Sequence, residues 1–598
     1  MHDSFVRSEM LPPRDPPLRE TGAVKWLREN LFSGPLNTIL TFLGLGVVVW
    51  LVWTAFPWWW HSVWNASSLA ECRQIVIDSG GTEGACWAVI KARWHQYIFG
   101  FYPMDQYWRP VLTAGLLLAA LSPVLYWNDR KGAILTAVAG VLTVVSMLLL
   151  SSPLPVVAVS AAIMAGLFLL ARVRPRHLIW VTLAYPFAAL FLLWGGQVWI
   201  YLSAILAVAA GVGFGFLYGR LRDGGGTLAY AVVAAIGAAF VAAALVHYLD
   251  AVSSDFLAKL SAGSSFYPGL GSGGGIVAKT LGAVVSAVIW TISIAVWAMV
   301  ALMRAVSGVL NLNLGMLADF PLASTLGLGA ILAALGTFSA ARSRAAGIGI
   351  FGGFLALGAY ALIVHPWLTG ALGSAVPLGL PRINSDQFGG FVLAIVIGIT
   401  AIAASLPLGI ILALGRRSDM FLVKTLSVGF IEFIRGVPLI TLLFTASLLL
   451  AYFLPPGTNF DLILRVIILA SLFSAAYLAE VIRGGLAALP RGQYEAADAL
   501  GLDYWQAQRL IVMPQALKIS IPGIVGTFIG LFKDTTLVSF VGLLDPLRGV
   551  TQIVRADINW KGIYWEPYIF VGVIFFLICF GMSRYSMYLE RKLKTDHR

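Results

Sequence analysis

Apolar runs of about 20 residues, separated by short polar breaks, recur along most of this chain, which is the length and spacing of helices that cross a bilayer. The first run, residues 36–56, follows a polar, proline-rich and basic stretch at 1–35 with one short predicted helix at 24–30. That run begins only after Pro35, so no cleavable signal peptide is expected; Trp58, Trp59 and Trp60 stand where an interfacial aromatic belt belongs. Residues 57–108 read as an outer loop or small cap, and a second span at 111–127 returns to Asp129, Arg130 and Lys131. Spans are predicted next at 133–151, 154–171, 178–194, 198–219 and 227–247. A Gly/Ser-rich stretch follows, then apolar runs at 276–303, 322–340 and 346–364, with a shorter piece at 305–320. The C-terminal part reads as five spans, 388–414, 436–454, 462–480, 517–541 and 567–588.

Composition agrees. Apolar residues are 59% of the chain, charged residues 11%, and the mean hydropathy is +0.86, outside the range of soluble globular proteins. A net charge of +12 would suit a nucleic-acid binder, but the basic residues fall in short clusters between the apolar runs. That is the positive-inside pattern of a membrane protein, and it argues against nucleic acid. Arg172, Arg174, Arg176 and His177, then Arg220 and Arg222, fall on the cytoplasmic side, as do Arg416, Arg417, Arg483, Arg491, Arg509 and the tail Arg591, Lys592 and Lys594. Ten spans ahead of residue 388 would turn the last five the wrong way, so nine or eleven are expected, with 305–320 re-entrant or part of a broken helix.

One stretch, residues 474–538, breaks the apolar pattern with ordered polar positions. Two helical turns are predicted over 494–500, Gly501 ends them in a left-handed conformation, and Asp503 with Gln506 caps a second short helix that Pro514 ends or kinks. The small residues Ala496, Ala497 and Ala499 leave one side without bulk, while Trp505, Leu510, Ile511 and Val512 supply apolar anchors, the makings of a docking element outside the hydrocarbon.

Glu495-Ala496-Ala497, Gly501, Ile511 and Pro514 resemble the EAA loop of ABC-importer permeases. Glu432-Phe433-Ile434-Arg435-Gly436-Val437-Pro438-Leu439, Ala479-Glu480-Val481-Ile482-Arg483-Gly484-Gly485 and Phe532-Lys533-Asp534-Thr535-Thr536-Leu537-Val538 resemble the polar amino-acid uptake family. Ala413-Leu414-Gly415-Arg416-Arg417-Ser418 and Ser583-Arg584-Tyr585-Ser586 with Glu590-Arg591 bring it nearest to the M-type permeases of general L-amino-acid importers. The resemblance covers about residues 385–598, with a weaker echo at Gly84-Ala85-Cys86-Trp87 and Gly100-Phe101-Tyr102-Pro103.

The resemblance implies an all-α polytopic membrane protein of about 14–16 transmembrane helices, with a type I ABC-importer permease core of five helices at its C-terminal end. Its expected parts are a cytoplasmic tail at 1–35, an enlarged multi-span extension at 36–384 with a periplasmic loop at about 57–108, and the core at 385–598, which carries the coupling loop at 490–515. It implies a non-catalytic permease subunit of the bacterial inner membrane, both termini cytoplasmic, working by alternating access on polar L-amino acids. The implied partners are a homologous second permease subunit, two ABC ATPase subunits that bind ATP and Mg, a periplasmic amino-acid-binding protein and membrane lipid. A broad amino-acid range, a single amino acid such as glutamate, and an opine all remain open as cargo.

Candidate chemistry is sparse. Gly273-Gly274-Gly275-Ile276-Val277-Ala278-Lys279-Thr280 falls one residue short of a phosphate-binding loop, with Ala278 in place of the second glycine, and opens an apolar run; it reads as a flexible loop with an interfacial lysine. No cofactor is therefore expected in this chain. The seven histidines show no metal-ligand spacing, and no Cys-x-x-Cys or Gly-x-Ser-x-Gly occurs. Asp250 with Asp255 is the sole faint candidate for membrane-enzyme chemistry, and a secondary transporter would leave the patterned loop without a purpose. Ionisable residues near the membrane concentrate in Glu432, Arg435, Glu480, Arg483, Lys533 and Asp534, and charges at such depth are paired or line a wet path. Glu480 and Arg483, three apart, either form an ion pair at a span's cytoplasmic end or present Glu480 to a substrate amino group. Lys533 and Asp534, with Thr535, suit a gate or subunit contact, because neighbouring residues on a helix point different ways. Cys72 and Cys86 share the 57–108 loop and form either one bridge or two free thiols, while Cys579 reads as apolar filler.

Overall fold

The structure, a computed structural model, describes residues 22–127, 129–202, 324–325, 370, 372–445, 447 and 461–593. The spans expected between 203 and 364, residues 446 and 448–454 of the one at 436–454, the Gly273-to-Thr280 stretch and Asp250 with Asp255 lie outside these residues. Among the described residues nine helices are long and apolar enough to cross a membrane. One antiparallel pair of two-residue strands, β1 (Gly196–Gln197) and β2 (Gly379–Leu380), is also present. Chain contacts define two compact units, Met1–Trp94 with Thr551–Phe570, and His95–Val550 with Val571–Arg598.

In the first unit α1 (Gly22–Asn30) precedes α2 (Pro35–Trp60), whose proline at the helix start needs no hydrogen-bond acceptor there. α2 buries none of its side chains, so its apolar surface is left for lipid. The cap beyond it is held by a Cys72–Cys86 disulfide, with Cα atoms 6.0 Å apart. Ser68 caps α3 (Leu69–Asp78) by accepting from the Glu71 N–H. Val63 N donates to Ala85 O at 2.7 Å, and Trp87 stacks on Trp64 with ring centroids 5.7 Å apart. The segment 551–570 belongs to the same unit: the Cys86 N–H donates to the buried Glu566 Oε1 at 2.7 Å, and Arg93 pairs with Asp557.

The second unit begins at His95 within α4 (Ala88–Phe99), which leads to Gly100 and then α5 (Trp108–Leu125), α6 (Arg130–Leu149), α7 (Leu154–Val173) and α8 (Leu178–Trp194). These packed helices are tied to the start of the C-terminal core by an aromatic clasp. Phe388 stacks on Trp194 at 4.3 Å and meets Tyr102 edge-on at 5.4 Å; Tyr102 OH donates to Leu193 O at 2.8 Å. Gly100 (φ +68°) lies backbone to backbone against Gly389, where a Cβ on either would collide with the other. Arg109, fully buried at the start of α5, donates to Pro381 O at 2.8 Å.

The core contains α9 (Gly390–Arg416), α10 (Phe421–Gly436), α11 (Leu439–Phe444), α12 (Leu462–Ala487) and α13 (Gly492–Ala499). α14 (Tyr504–Ala507), α15 (Met513–Asp534), α16 (Pro546–Ala556) and α17 (Trp565–Leu593) complete it. Asp461 caps α12 by accepting from Ile463 N and Leu464 N. α12 lies between α9 and α15, in contact with both. Against α9, Gly409 faces Leu478 so closely that an added Cβ would lie 2.8 Å from Leu478 Cβ; against α15, Gly485 faces Ala516 and Ser520 in the same way. Small residues at such faces bring helix backbones near enough for dispersion contact along their length. The amphipathic α10 is absent from the span pattern, because Glu432 and Arg435 interrupt its apolar positions, and Pro438 separates it from α11.

Closing the loop between Cys72 and Cys86, 14 positions apart, stabilises the cap by roughly 3 kcal/mol. Replacing both with serine is expected to speed limited proteolysis within residues 61–94 markedly, read by mass spectrometry, while leaving cleavage in the 490–515 segment unchanged.

Candidate functional site

The patterned loop is built as a helix, a turn and a helix with a two-sided character. α13 ends at Ala499 with Leu500 as its C-cap, and Gly501 adopts φ +67°, a conformation that side chains resist. Its N–H donates to Asp498 O at 2.9 Å, and the Leu502 N–H donates to Ala497 O. Asp503 and Gln506 then form a reciprocal capping box on α14. Ala497 is fully buried, whereas Glu495 and Ala496 face outward beside Leu500 (72% exposed) and Trp505 (68%). The buried side is stitched to its surroundings: Arg417 Nη1 donates to Tyr494 OH at 3.0 Å and lies over its ring, and Gln515 Nε2 donates to Gln493 Oε1 at 2.9 Å.

Two expectations for this loop are corrected. Val512 is not an outward anchor; it is fully buried with Val481, Met513 and Ala516, and Ile511 is half-buried. Of the two readings of Pro514, the end of the second helix is excluded, since the chain stays helical from Tyr504 to Val541. A π-helical turn, Gln508–Val512, immediately precedes Pro514, and such a turn accommodates a proline ring that would clash with the carbonyl four residues back. The loop's second helix and the span that follows are therefore one continuous helical segment.

A short distance along the same helices, five charged side chains meet. Glu480 on α12 is the hub, its side chain 16% exposed. Its Oε2 accepts from Arg483 Nε at 3.0 Å and lies 3.6 Å from Arg435 Nη1 of α10. Its Oε1 lies 2.8 Å from Arg416 Nη1 of α9, a coulombic contact without a directed hydrogen bond. Arg416 also donates to Glu432 Oε1 at 2.8 Å, which holds that exposed carboxyl below its ordinary range. The Glu432 contact is thus present at neutral pH and is lost only as pH falls below 4.5. Glu480, Arg483, Glu432 and Arg435 are accordingly brought together, with Arg416 as the member that joins α9 to them.

Lys533, Asp534 and Thr535 stand apart at the end of α15, where the helix tightens into a 3-10 turn, Thr535–Val541. Lys533 is exposed, Asp534 half-buried and Thr535 buried with its hydroxyl donating to Phe532 O at 2.8 Å; no ion pair joins Lys533 to Asp534 among the described residues. No group of three or more metal-ligating side chains occurs among the described residues.

Residues 405–595, which include the charge cluster's hub and the whole patterned loop, match the family "binding-protein-dependent transport system inner membrane component". Over 597 residues the chain is 50% identical to the glutamate/glutamine/aspartate/asparagine transport system permease protein BztC of Rhodobacter capsulatus, covering all of this chain and 99% of that protein. It belongs to the amino-acid ABC transporter permease family. The permease is also 49% identical over 233 residues to the inner membrane amino-acid ABC transporter permease protein YhdY of Escherichia coli, covering 39% of this chain and 63% of that one. Among solved structures, an amino acid ABC transporter crystallised with histidines aligns with 34% of the chain and 91% of its own at 30% identity and a TM-score of 0.31.

The BztC match runs through the enlarged N-terminal part as well as the core, so the added spans of this permease are shared with a relative rather than an isolated insertion. Arg109, Arg465 and Arg548 were not singled out by the sequence pattern. The available signal was an arginine within or beside an apolar run, as at Arg465 three residues into α12.

Glu480→Gln leaves three arginines facing a neutral amide and is expected to cost roughly 2–3 kcal/mol, less than for a fully buried pair because the site is partly wet. Thermal unfolding of the detergent-purified permease checks this, with Glu432→Gln, on the exposed rim, expected to shift the midpoint less.

Proposed function

We propose that this chain is the permease subunit through which polar L-amino acids enter by ATP-driven alternating access, and that its 490–515 loop is where separate ATPase subunits grip it. The observation that carries the reading is the loop's two-sidedness: Glu495, Ala496, Leu500 and Trp505 face outward, while Ala497, Tyr494 and Gln515 tie the same loop to the core helices. An ATPase groove closing on the outer face would move α12 and α15 with it. ATP shifts the permease only if docking free energy differs between its two states, so a rigid link is what the mechanism requires.

In this reading the chain sits in the inner membrane with both termini cytoplasmic, and ATP and Mg are bound by the partner subunits. A related second permease completes the path, and a periplasmic binding protein delivers cargo. The parts are a tail at 1–35, an extension at 36–384 and a permease core at 385–598. The extension acts as a scaffold, consistent with the clasp around Phe388, and Lys533, Asp534 and Thr535 lie at a gate or subunit contact. The relative's name covers acidic amino acids and their amides, which favours a set of this kind over an opine.

The test is ATPase activity of the reconstituted complex with binding protein and amino acid, comparing native permease with Glu495→Arg and Gly501→Val. Amino-acid stimulation is expected to fall at least about tenfold in both, the loss that weakened docking by 1.4 kcal/mol or more produces. Unchanged stimulation in both variants would remove the loop from coupling.

A further inference from the structure

Two basic clusters that lie far apart in the chain meet at one end of the membrane-spanning helices. One is Arg130 and Lys131 at the start of α6; the other is Arg584, Arg591 and Lys592 toward the end of α17. Three tyrosines bring them together. Tyr585 OH donates at 2.6 Å to the carbonyl of Leu125, the last residue of α5, and its ring meets Tyr126 edge-on at 6.0 Å. Tyr588 lies 6.0 Å from Tyr126 and 6.1 Å from Tyr585, ring centroid to ring centroid. Lys131 Nζ sits over the Tyr588 ring, 4.6 Å from its centroid, and Lys592 Nζ is 5.8 Å from the same centroid.

The tyrosine ring attracts both ammoniums but neutralises neither. Both lysines are exposed, and among the described residues neither forms an ion pair. The neighbouring acids serve their own helices: Asp129 caps α6 by accepting from the Lys131 N–H at 3.2 Å, and Glu590 accepts from Ser586 Oγ at 3.1 Å. Arg130, Lys131, Arg584, Arg591 and Lys592 thus stand against Asp129 and Glu590, a surplus of positive charge. Apolar surface leads straight to it. On α17, Val573, Leu577, Phe580, Arg584, Tyr588 and Lys592 recur every three or four residues, which makes them one stripe, and its three apolar members are exposed. On α6 the exposed Ile134 and Val138 continue the line of Lys131, and Trp127 is exposed just ahead of the helix, as an interfacial aromatic would be. An occupant that uses both features has an anionic head and apolar tails. Basic pockets between transmembrane helices are a common setting for anionic lipid headgroups.

We propose that Lys131 and Lys592, gathered on Tyr588, bind the headgroup phosphate of an anionic phospholipid whose acyl chains lie along the exposed stripe of α17. The site selects lipids whose phosphate charge is uncompensated by an ammonium of their own. Headgroup binding would join the start of α6 to the end of α17, adding to the tyrosine contacts between the extension and the core. The proposal goes beyond the transport reading and holds for any cargo.

The test is photocrosslinking of the detergent-purified permease, with the subunits that co-purify with it, by phosphatidylglycerol or phosphatidylcholine carrying the same diazirine-bearing tail. Labelled peptides are read by mass spectrometry. Phosphatidylglycerol is expected to label residues 573–592 at least about fivefold more than phosphatidylcholine does. Lys131→Gln and Lys592→Gln are each expected to lower phosphatidylglycerol labelling there about fivefold, the weight of one near-surface cation on an anionic lipid, while Lys→Arg at either position keeps it. Labelling of α7 is expected to stay the same in every variant, which shows that the fold is kept. Equal labelling of 573–592 by the two lipids would overturn the proposal, and so would a preference that survives both Lys→Gln substitutions together. Displacement of the lipid by millimolar inorganic phosphate would assign the lysines to a free anion instead. A double variant that keeps the lipid preference but sheds a co-purifying subunit would make the cluster a protein contact, and the lipid site would fall.

Discussion

The core depends on how closely α12 is held between α9 and α15. Gly409 against Leu478 and Gly485 against Ala516 and Ser520 leave no room for a methyl group, and Ser520 Oγ donates to Val481 O at 3.2 Å across the second contact. In hydrocarbon no hydrophobic force drives one apolar helix onto another, so dispersion at these small-residue faces and the few hydrogen bonds they permit must hold the helices together. Larger side chains at Gly409 or Gly485 would push the axes apart and loosen everything borne by α12.

What α12 bears is the charge cluster. Glu480 projects toward Arg416 of α9 and Arg435 of α10 because the axes are fixed at that separation, and its carboxylate is shared among three arginines. The cluster locks the same helix ends from which the patterned loop departs. With Arg417 on Tyr494 and Gln515 on Gln493, the loop is braced from α9 and from α15 together. The π-helical turn before Pro514 lets the second half of the loop run into α15 without a break in the helix.

The N-terminal helices α5 to α8 join this core through different chemistry. Phe388, Trp194 and Tyr102 pack ring on ring, and Arg109 Nη1 and Tyr102 OH each donate to a backbone carbonyl. Aromatic rings bury large area with few rotamers to freeze, and a buried guanidinium that donates to a carbonyl ties its helix to the segment it meets. The match to BztC extends across both regions.

The spans that flank short polar breaks, the Gly501 turn and the Asp503–Gln506 capping box were legible in the sequence, because each depends on residues within a few positions of one another. The amphipathic α10 was not, since its charges disguise it as a break between spans. Val512 was misread as an outward anchor for a related reason. Which side of a helix faces its neighbour depends on rotation about the axis, and one residue turns a side chain by about 100°. By itself the sequence determined the class of the protein, a polytopic membrane chain with a capped polar loop near its C-terminal end, because hydropathy and capping are local. Only the tertiary structure decided that Arg416 completes the Glu480 cluster, that Pro514 lies inside a continuous helical segment and that Arg465 and Arg548 share one cavity. Those juxtapositions follow from the packing of helices distant in sequence, where the separation and rotation of each are set by all its neighbours at once.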